Sequence, residues 1–415
     1  MNPFEYRDNQ LYAEQVSCAE IANAYGTPSY VYSKAAIEDR YRAFEDALQD
    51  WQARICYSVK ANSSLAVLSL LARLGAGFDI VSGGELERVL RAGGDARKVV
   101  FSGVAKRADE IRRALLAGIY CFNIESLPEL DRIEHIAGEM DIPANVSLRV
   151  NPDVDADTHP YISTGQKENK FGLGIDQARE LYQRIADSRS LRVTGVDCHI
   201  GSQLLDLAPF RSSFEKVFEL VDWLEDRGIP LRHVDLGGGL GIPYTRADLA
   251  PAPVQYARAI EPFMHGRQLE LVVEPGRSIV GHAGLLLCRV EYLKSTDEGN
   301  FALVDAGMND FMRPSLYSAW HEISAVHRES GEQVLYDVAG PVCESADVLG
   351  RQRSLCIRPG SLLAVHDAGA YGFTMASNYN SRMRPAEVLV DGDLARLIRK
   401  RESIDQLFAD EIIPD

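Results

Sequence analysis

The sequence predicts an α/β protein: a TIM-like (β/α)8 barrel followed by a mostly β C-terminal domain. Three observations support that reading. Between residues 34 and 275, short β-branched or apolar runs alternate with amphipathic stretches of helical period, the pattern of βα units around a parallel sheet. Eight such runs can be counted, the number that closes a barrel. After residue 276 the helical period fades, and strands with Gly or Asp-Gly turn signals take over. On pattern alone, a doubly wound open sheet remains the alternative.

Taken in order, "TPSYVYS" (27–33) reads as a strand ahead of the first barrel helix, "KAAIEDRYRAFEDALQDW". It is expected to join the C-terminal sheet, which sets the boundaries at 1–33, 34–277 and 278–415. The barrel runs are "ICYSVK" from 55, "GFDIVS" from 77, "KVVFSG" from 98, "YCFNIE" from 120, "NVSLRV" from 145, "RVTGVDCHI" from 192, "HVDLGG" from 233 and "LELVVEP" from 269. Helix candidates such as "LAVLSLLARLG", "ELERVLRAGG" and "FEKVFELVDWLEDRG" lie between them, each stopped by glycine. The tail strands are "LLLCRVEYLKS", "FALVDAG", "VLYDVAG", "SLLAVHDAG" and "AEVLVDG".

Composition narrows the function. At 415 residues the chain is too long for one ordinary core. Its 60 acidic and 44 basic residues give a net charge of -16, which repels nucleic acid and anionic membranes. The start, "MNPFEYRDNQL", has no basic n-region or apolar h-region, and runs such as "GLLLCRV" are too short to cross a bilayer, so a cytoplasmic protein is expected. Seven scattered cysteines with no C-x-x-C argue against a disulfide framework and against a metal site.

In a barrel of this kind the chemistry sits where strands end and loops begin. Those ends carry Lys60 and Asn62, Asp79 and Ser82, Lys106, Glu125, Arg149 and Asn151, His199 and Ser202, Gly237, Gly238 and Gly239, then Glu274 and Arg277. For Asn62, Lys106, Glu125 and Asn151, an ordinary polar strand end is an equal reading. "DLGGGLG" offers bare amides to an anion, and "EPGR" on the next strand offers an arginine for bidentate phosphate recognition. Lys60 ends an apolar strand, where desolvation favours an imine-forming amine, although a snorkelling lysine is the commoner case there. A lysine, a phosphate cradle and a carboxylate at one rim together fit pyridoxal phosphate.

The chain resembles the diaminopimelate decarboxylases, pyridoxal-phosphate enzymes with an alanine-racemase-like barrel. Matching stretches run nearly end to end: "YSVKANSSLAVLSLLARLGAGFDIVSGGELERVL", "VSLRVNPDVDADTHPYISTGQKENKFG", "DCHIGSQL", "DLGGGLGIPY", "EPGRSIVG", "DAGMNDFMRPSLY", "CES" and "AGAYGFTMASNYNSRMRPAEVLVDG". "MRPSLY", "HPYISTG" and "SNYNSR" point to that branch rather than to the ornithine and arginine decarboxylases, which share the barrel motifs.

The resemblance implies conversion of meso-2,6-diaminopimelate to L-lysine and carbon dioxide, the last step of lysine biosynthesis. It implies that Lys60 is the Schiff-base lysine, supported by Asp79, and that His199 stacks on the cofactor ring while Glu274 holds the pyridine nitrogen. Ser202, Gly237 to Gly239, Gly276, Arg277 and Tyr371 would bind the phosphate end. Arg277, Arg313, Tyr317, Glu344 and Tyr371 would bind substrate, with Arg313 and Tyr317 on one face if "RPSLYSAWHE" is helical. Cys343, in "GPVCESADVLG", would be the acid that protonates the carbanion. It would come from the partner chain of a homodimer with shared active sites.

Three departures from the family pattern stand out: Ala346 and Ala105 where glycine is usual, and Ser58 for the commoner alanine. The two alanines would alter loop backbone if those glycines need positive φ. Two rival functions remain: a decarboxylase of a related amino acid such as ornithine, arginine or lysine, and a catalytically silent cofactor-binding homologue. Arg313 with Tyr317 speaks against the first, because a diamine-forming enzyme has no distal carboxylate to grip. The joint presence of Lys60, His199, Glu274 and Cys343 speaks against the second.

Overall fold

Eight short strands pair edge to edge in sequence order and close on themselves. They are Ala53–Ser58, Gly77–Ile80, Val99–Phe101, Cys121–Ile124, Ala144–Asn151, Leu191–Cys198, His233–Asp235 and Glu270–Val273. Each pairs in parallel with the next, and the ring shuts where Leu271–Val273 lies against Ala53–Ile55. The structure is a computed structural model that describes residues 3–154, 170–245 and 247–415. The "HPYISTG" stretch falls outside the described residues.

Both faces of these strands are covered, by helices outside and by the packed interior inside. Gly77–Ile80, Val99–Phe101, Cys121–Ile124 and His233–Asp235 are therefore buried throughout and read as runs rather than alternations. The helices between them have local start and stop chemistry. Ser82 caps Gly83–Arg91 by accepting from the Glu85 amide, and Gly118 ends Ala108–Ala117 in the left-handed region. One feature departs from an aliphatic barrel core: Asn123, Ser147, Asp197 and Asp235 are buried on the strands themselves.

The chain divides into two units. One holds the barrel, residues 40–243 and 248–278; the other takes the described parts of 1–39, 244–247 and 279–415. The second unit is built around Gly284–Thr296, whose first half pairs with Ser29–Ser33 and Leu362–Val365 and whose second half pairs with Gly299–Val304. Ser29–Ser33 also runs parallel to Ala386–Asp391, so the N-terminal strand is an interior strand of this sheet. Val348–Leu355, which the sequence reading passed over, extends the sheet beside Val334–Ala339. The helix expected in "RPSLYSAWHE" is only Arg313–Tyr317, because Ser318 turns into the left-handed region at φ 51°. No helix among the described residues is long and apolar enough to cross a membrane.

Glu14 ties the N-terminal hairpin into this sheet. One carboxylate oxygen accepts from Ser33 Oγ (2.6 Å) and the Ala35 amide (3.0 Å), and the other accepts from the Gly392 amide (2.6 Å). Removing the carboxylate strands three donors. Glu14→Ala is therefore expected to destabilise the protein by about 3 kcal/mol in chemical denaturation. A wild-type midpoint would show that the carboxylate bonds carry no net stability.

Candidate active site

Lys60 sits in a single turn, Val59–Ala61, directly after the first barrel strand. Its Nζ lies 2.6 Å from Asp79 Oδ2; the aspartate side chain is 0% exposed and the lysine side chain 36%. The amine is thus anchored by a buried charge yet open to an incoming molecule. Ser58 Oγ lies 3.0 Å from the same Asp79 oxygen and 3.0 Å from the Glu274 carbonyl oxygen, so the unusual serine adds a polar contact at this anchor.

The glycine run packs backbone against backbone. A Cβ on Gly238 would stand 2.3 Å from the Glu274 carbonyl oxygen, and one on Gly239 would stand 2.4 Å from that of Gly201. Only glycine lets the turn approach so closely. The Gly238 amide donates to His199 Nδ1 at 3.1 Å, which puts the proton of the neutral ring on Nε2. Burial, with the positive charges of Arg149 and Lys60, holds the His199 pKa well below its usual value, so the ring is uncharged and suited to stacking. Beside the turn, Arg277 Nη2 donates to Ser202 Oγ at 3.1 Å, and Gly276 packs where a Cβ would meet Ser58 and Ala61 at 3.0 Å.

Glu274 completes the mouth. Burial, reinforced by Asp235, Asp79 and Asp197, pushes its pKa well up, and its Oε1 is buried without a hydrogen-bond partner. A close-packed glycine turn beside a cationic side chain, a reachable amine and an orphaned carboxyl oxygen match the phosphate, aldehyde and ring nitrogen of pyridoxal phosphate. The residues present fit the group.

The doubtful rim residues turn out to staple loops. Lys106 spends its donors on Glu129 Oε1 (2.5 Å) and on the carbonyls of Asn123 (2.7 Å) and Gly103 (2.8 Å). Glu125 accepts from the Gly103 amide, from Arg149 and from the Gly172 amide, joining three loops. Asn62 and Asn151 each accept an amide two residues on. Glu129, Asp197 and Asp235 escaped the sequence reading because they lie within a helix or a strand, where inward-facing acids cannot be told from outward ones.

The remaining expected residues lie in the β unit. Arg313 is buried; its Nε donates to His321 Nε2 (3.3 Å) and its Nη2 to Tyr244 Oη (3.2 Å), while the Tyr317 ring centre is 5.8 Å from its guanidinium carbon. His321 is itself oriented by donating from Nδ1 to the His366 carbonyl at 2.9 Å. Cys343 and Glu344 are exposed. The "SNYNSR" loop explains itself here: Asn380 Oδ1 accepts from the Cys343 amide at 2.9 Å, and the Tyr379 hydroxyl donates to Glu344. Buried Asp347 gathers the base of the Cys343 loop by accepting from the Val342 (2.7 Å) and Met308 (2.6 Å) amides. Neither Ala105 nor Ala346 has positive φ, so the missing glycines leave no strain, whereas Tyr371 holds φ 56°.

Residues 34–281 match the family model described as the pyridoxal-binding domain of pyridoxal-dependent decarboxylases. The chain is 57% identical to a diaminopimelate decarboxylase from Pseudomonas aeruginosa, over 99% of each chain. Among solved structures it is similar to diaminopimelate decarboxylase from M. jannaschii in complex with L-lysine (40% identity, TM-score 0.95, covering 100% of this chain and 98% of that one). It is also similar to the Helicobacter pylori diaminopimelate decarboxylase complexed with L-lysine (44% identity, TM-score 0.91, covering 94% and 98%).

The close backbone approach at the glycine turn can be tested directly. Gly238→Ala is expected to weaken pyridoxal phosphate binding by about 10- to 100-fold, the cost of one overpacked site. Cofactor titration of the apoprotein measures the loss, with circular dichroism confirming the fold. Unchanged affinity would remove the turn from the cofactor site.

Proposed function

The chain belongs to the diaminopimelate decarboxylases, within the pyridoxal-dependent decarboxylases, and on that premise we propose how its own residues perform the reaction. The reaction is decarboxylation of meso-2,6-diaminopimelate to L-lysine and carbon dioxide, the step that completes lysine biosynthesis. Pyridoxal phosphate is the cofactor, and when bound it supplies the sink for the electron pair left on carbon as carbon dioxide departs. The observation that carries the assignment is the reachable Lys60 amine held 2.6 Å from buried Asp79.

Lys60 holds the cofactor through Nζ, with Asp79 orienting the amine. Neutral His199 would stack on the ring without adding charge, and Glu274 would accept a hydrogen bond from the ring nitrogen and keep it protonated. Ser202, Arg277, the Gly237 to Gly239 turn through its Gly239 amide, Gly276 and the Tyr371 hydroxyl would bind the phosphate end. Arg313 and Tyr317 grip the distal carboxylate, with His321 and Tyr244 fixing the guanidinium. Glu344 takes the distal ammonium, held by Tyr379, and Cys343 delivers the proton that converts the decarboxylated carbon to the lysine Cα–H. Arg277 and Tyr371 would also bind the substrate.

We further propose a homodimer with shared sites, in which Cys343 and Glu344 of one chain serve the barrel of the other. Support comes from the exposure of both residues, and of the nearby apolar Leu316 and Trp320, in the β unit. Seven free thiols fit a reducing, cytoplasmic setting.

Carbon dioxide release assayed across diaminopimelate stereoisomers, lysine, ornithine and arginine should be fast with the meso isomer alone. Preference for ornithine would favour the related-decarboxylase reading and leave Arg313 without its role. Cys343→Ala should keep the cofactor spectrum and lower kcat by about 100-fold, the usual worth of a positioned acid. Wild-type turnover would demote the thiol. Mixing Lys60→Ala with Cys343→Ala chains should restore activity in heterodimers; no recovery would argue that each chain's site is its own.

A further inference from the structure

Directly beneath the mouth of the barrel, Asp197, Asp235 and Glu274 come together from three adjacent strands and the turn after the last of them. Their carboxyl oxygens lie within 4.8 Å of one another, and all three side chains are buried. Asp197 Oδ1, Asp235 Oδ2 and Glu274 Oε1 each lack a hydrogen-bond partner. The cations whose charge reaches this group are Lys60 and Arg149. Each is already paired with another carboxylate: Lys60 with Asp79 at 2.6 Å, and Arg149 with Glu125 at 3.2 Å. The two cations and their two partners cancel, leaving three buried acids with no further cation paired to them among the described residues. Three such carboxylates cannot all ionise, so protons stay in the group.

The neighbours do not supply the missing charge. Cys56, Cys121 and Cys198 on the surrounding strands, and Tyr182 and Tyr256 on the covering helices, all have pKa values raised by burial and remain neutral. Asn123 faces Asp235 as a neutral amide, and His199 is uncharged.

Asp235 differs from the other two acids in having a second attachment. Its Oδ1 accepts from the Gly237 amide at 2.9 Å, which fixes the first residue of the glycine turn. We infer that Asp235 is a positioning residue: one oxygen holds the glycine turn, and the other shares a proton with Asp197 and Glu274, so that Glu274 can be the member that carries the negative charge. Burial and the adjacent carboxylates raise all three pKa values, Asp235 to about 7 and the other two well above the carboxylate range, so protons stay in the group, and a protonated ring nitrogen beside Glu274 would draw the negative charge to that member. The inference rests on the reading of Glu274 as the acceptor at the ring nitrogen, and it adds the device that governs that residue's charge.

The test uses the cofactor-loaded protein and reads protons rather than turnover. Infrared spectra at pH 8 should show a protonated-carboxyl carbonyl band that moves in D2O. The wild-type minus Asp235→Asn difference spectrum should contain that band. The asparagine keeps an oxygen for the Gly237 amide, so cofactor affinity should stay within about 3-fold, whereas Asp235→Ala should lose about 10-fold or more. A wild-type protein without the band would overturn the inference even if the alanine variant fails to fold. A band unchanged in both Asp235→Asn and Asp197→Asn would overturn it as well. Failure of the Glu274 reading looks different: Glu274→Gln would then keep wild-type affinity and turnover, whatever the band does.

Discussion

Lys60 meets Asp79 at 2.6 Å in a barrel whose interior already holds more acid than base, and the arrangement of the mouth follows from that pair. A unit charge pair about 4 Å apart is worth roughly 4 kcal/mol at the effective dielectric of a protein site, against roughly 1 kcal/mol in water. Burial of Asp79 therefore sets where the amine points, on a lysine side chain that stays partly exposed. Ring closure makes this possible, since it places the first strand between the second and the last and so brings Asp79 and Glu274 to either side of Lys60.

Around that pair, charge is either satisfied or shared. Lys106 with Glu129, and Arg149 with Glu125, are buried ion pairs whose remaining hydrogen-bonding groups are used on loop backbone. Such pairs contribute little net stability, but breaking one strands a buried charge, so they specify a single loop arrangement. The glycine turn does the complementary work: it approaches Glu274, Gly201 and Cys198 too closely for any Cβ, while Asp235 and His199 hold its first two amides. Fixed loops and a close-packed turn together suit the proposed binding of a phosphorylated ring without rearrangement.

Much of this was legible in the sequence because strands covered on both faces must be continuously apolar, and glycine turns and polar strand ends punctuate them. All eight barrel strands appear where the runs placed them, and Lys60, His199, Glu274 and Arg277 stand at the mouth as the rim reading required. Illegibility had two physical sources. Asp197 and Asp235 sit inside strands, and alternation cannot say that an acid faces a barrel interior when both faces are closed. Tyr379, Asn380, Asp347 and His321 act on residues 5 to 45 positions away, and such contacts are set by tertiary packing rather than by local pattern. Val348–Leu355 was passed over because its polar "GRQRS" centre hides a strand whose pairing is made by backbone. The short helix at Arg313 was overestimated because nothing local announced the left-handed turn at Ser318.

The central claim is that this chain carries its cofactor on Lys60 and uses the barrel mouth around it for decarboxylation. Reduction of the cofactor-loaded protein with borohydride, followed by peptide mass mapping, tests it most directly. The account predicts a pyridoxyl label fixed to Lys60 and quenched turnover of meso-diaminopimelate in proportion to labelling. A label on a different lysine, or full activity in a protein labelled at Lys60, would contradict it.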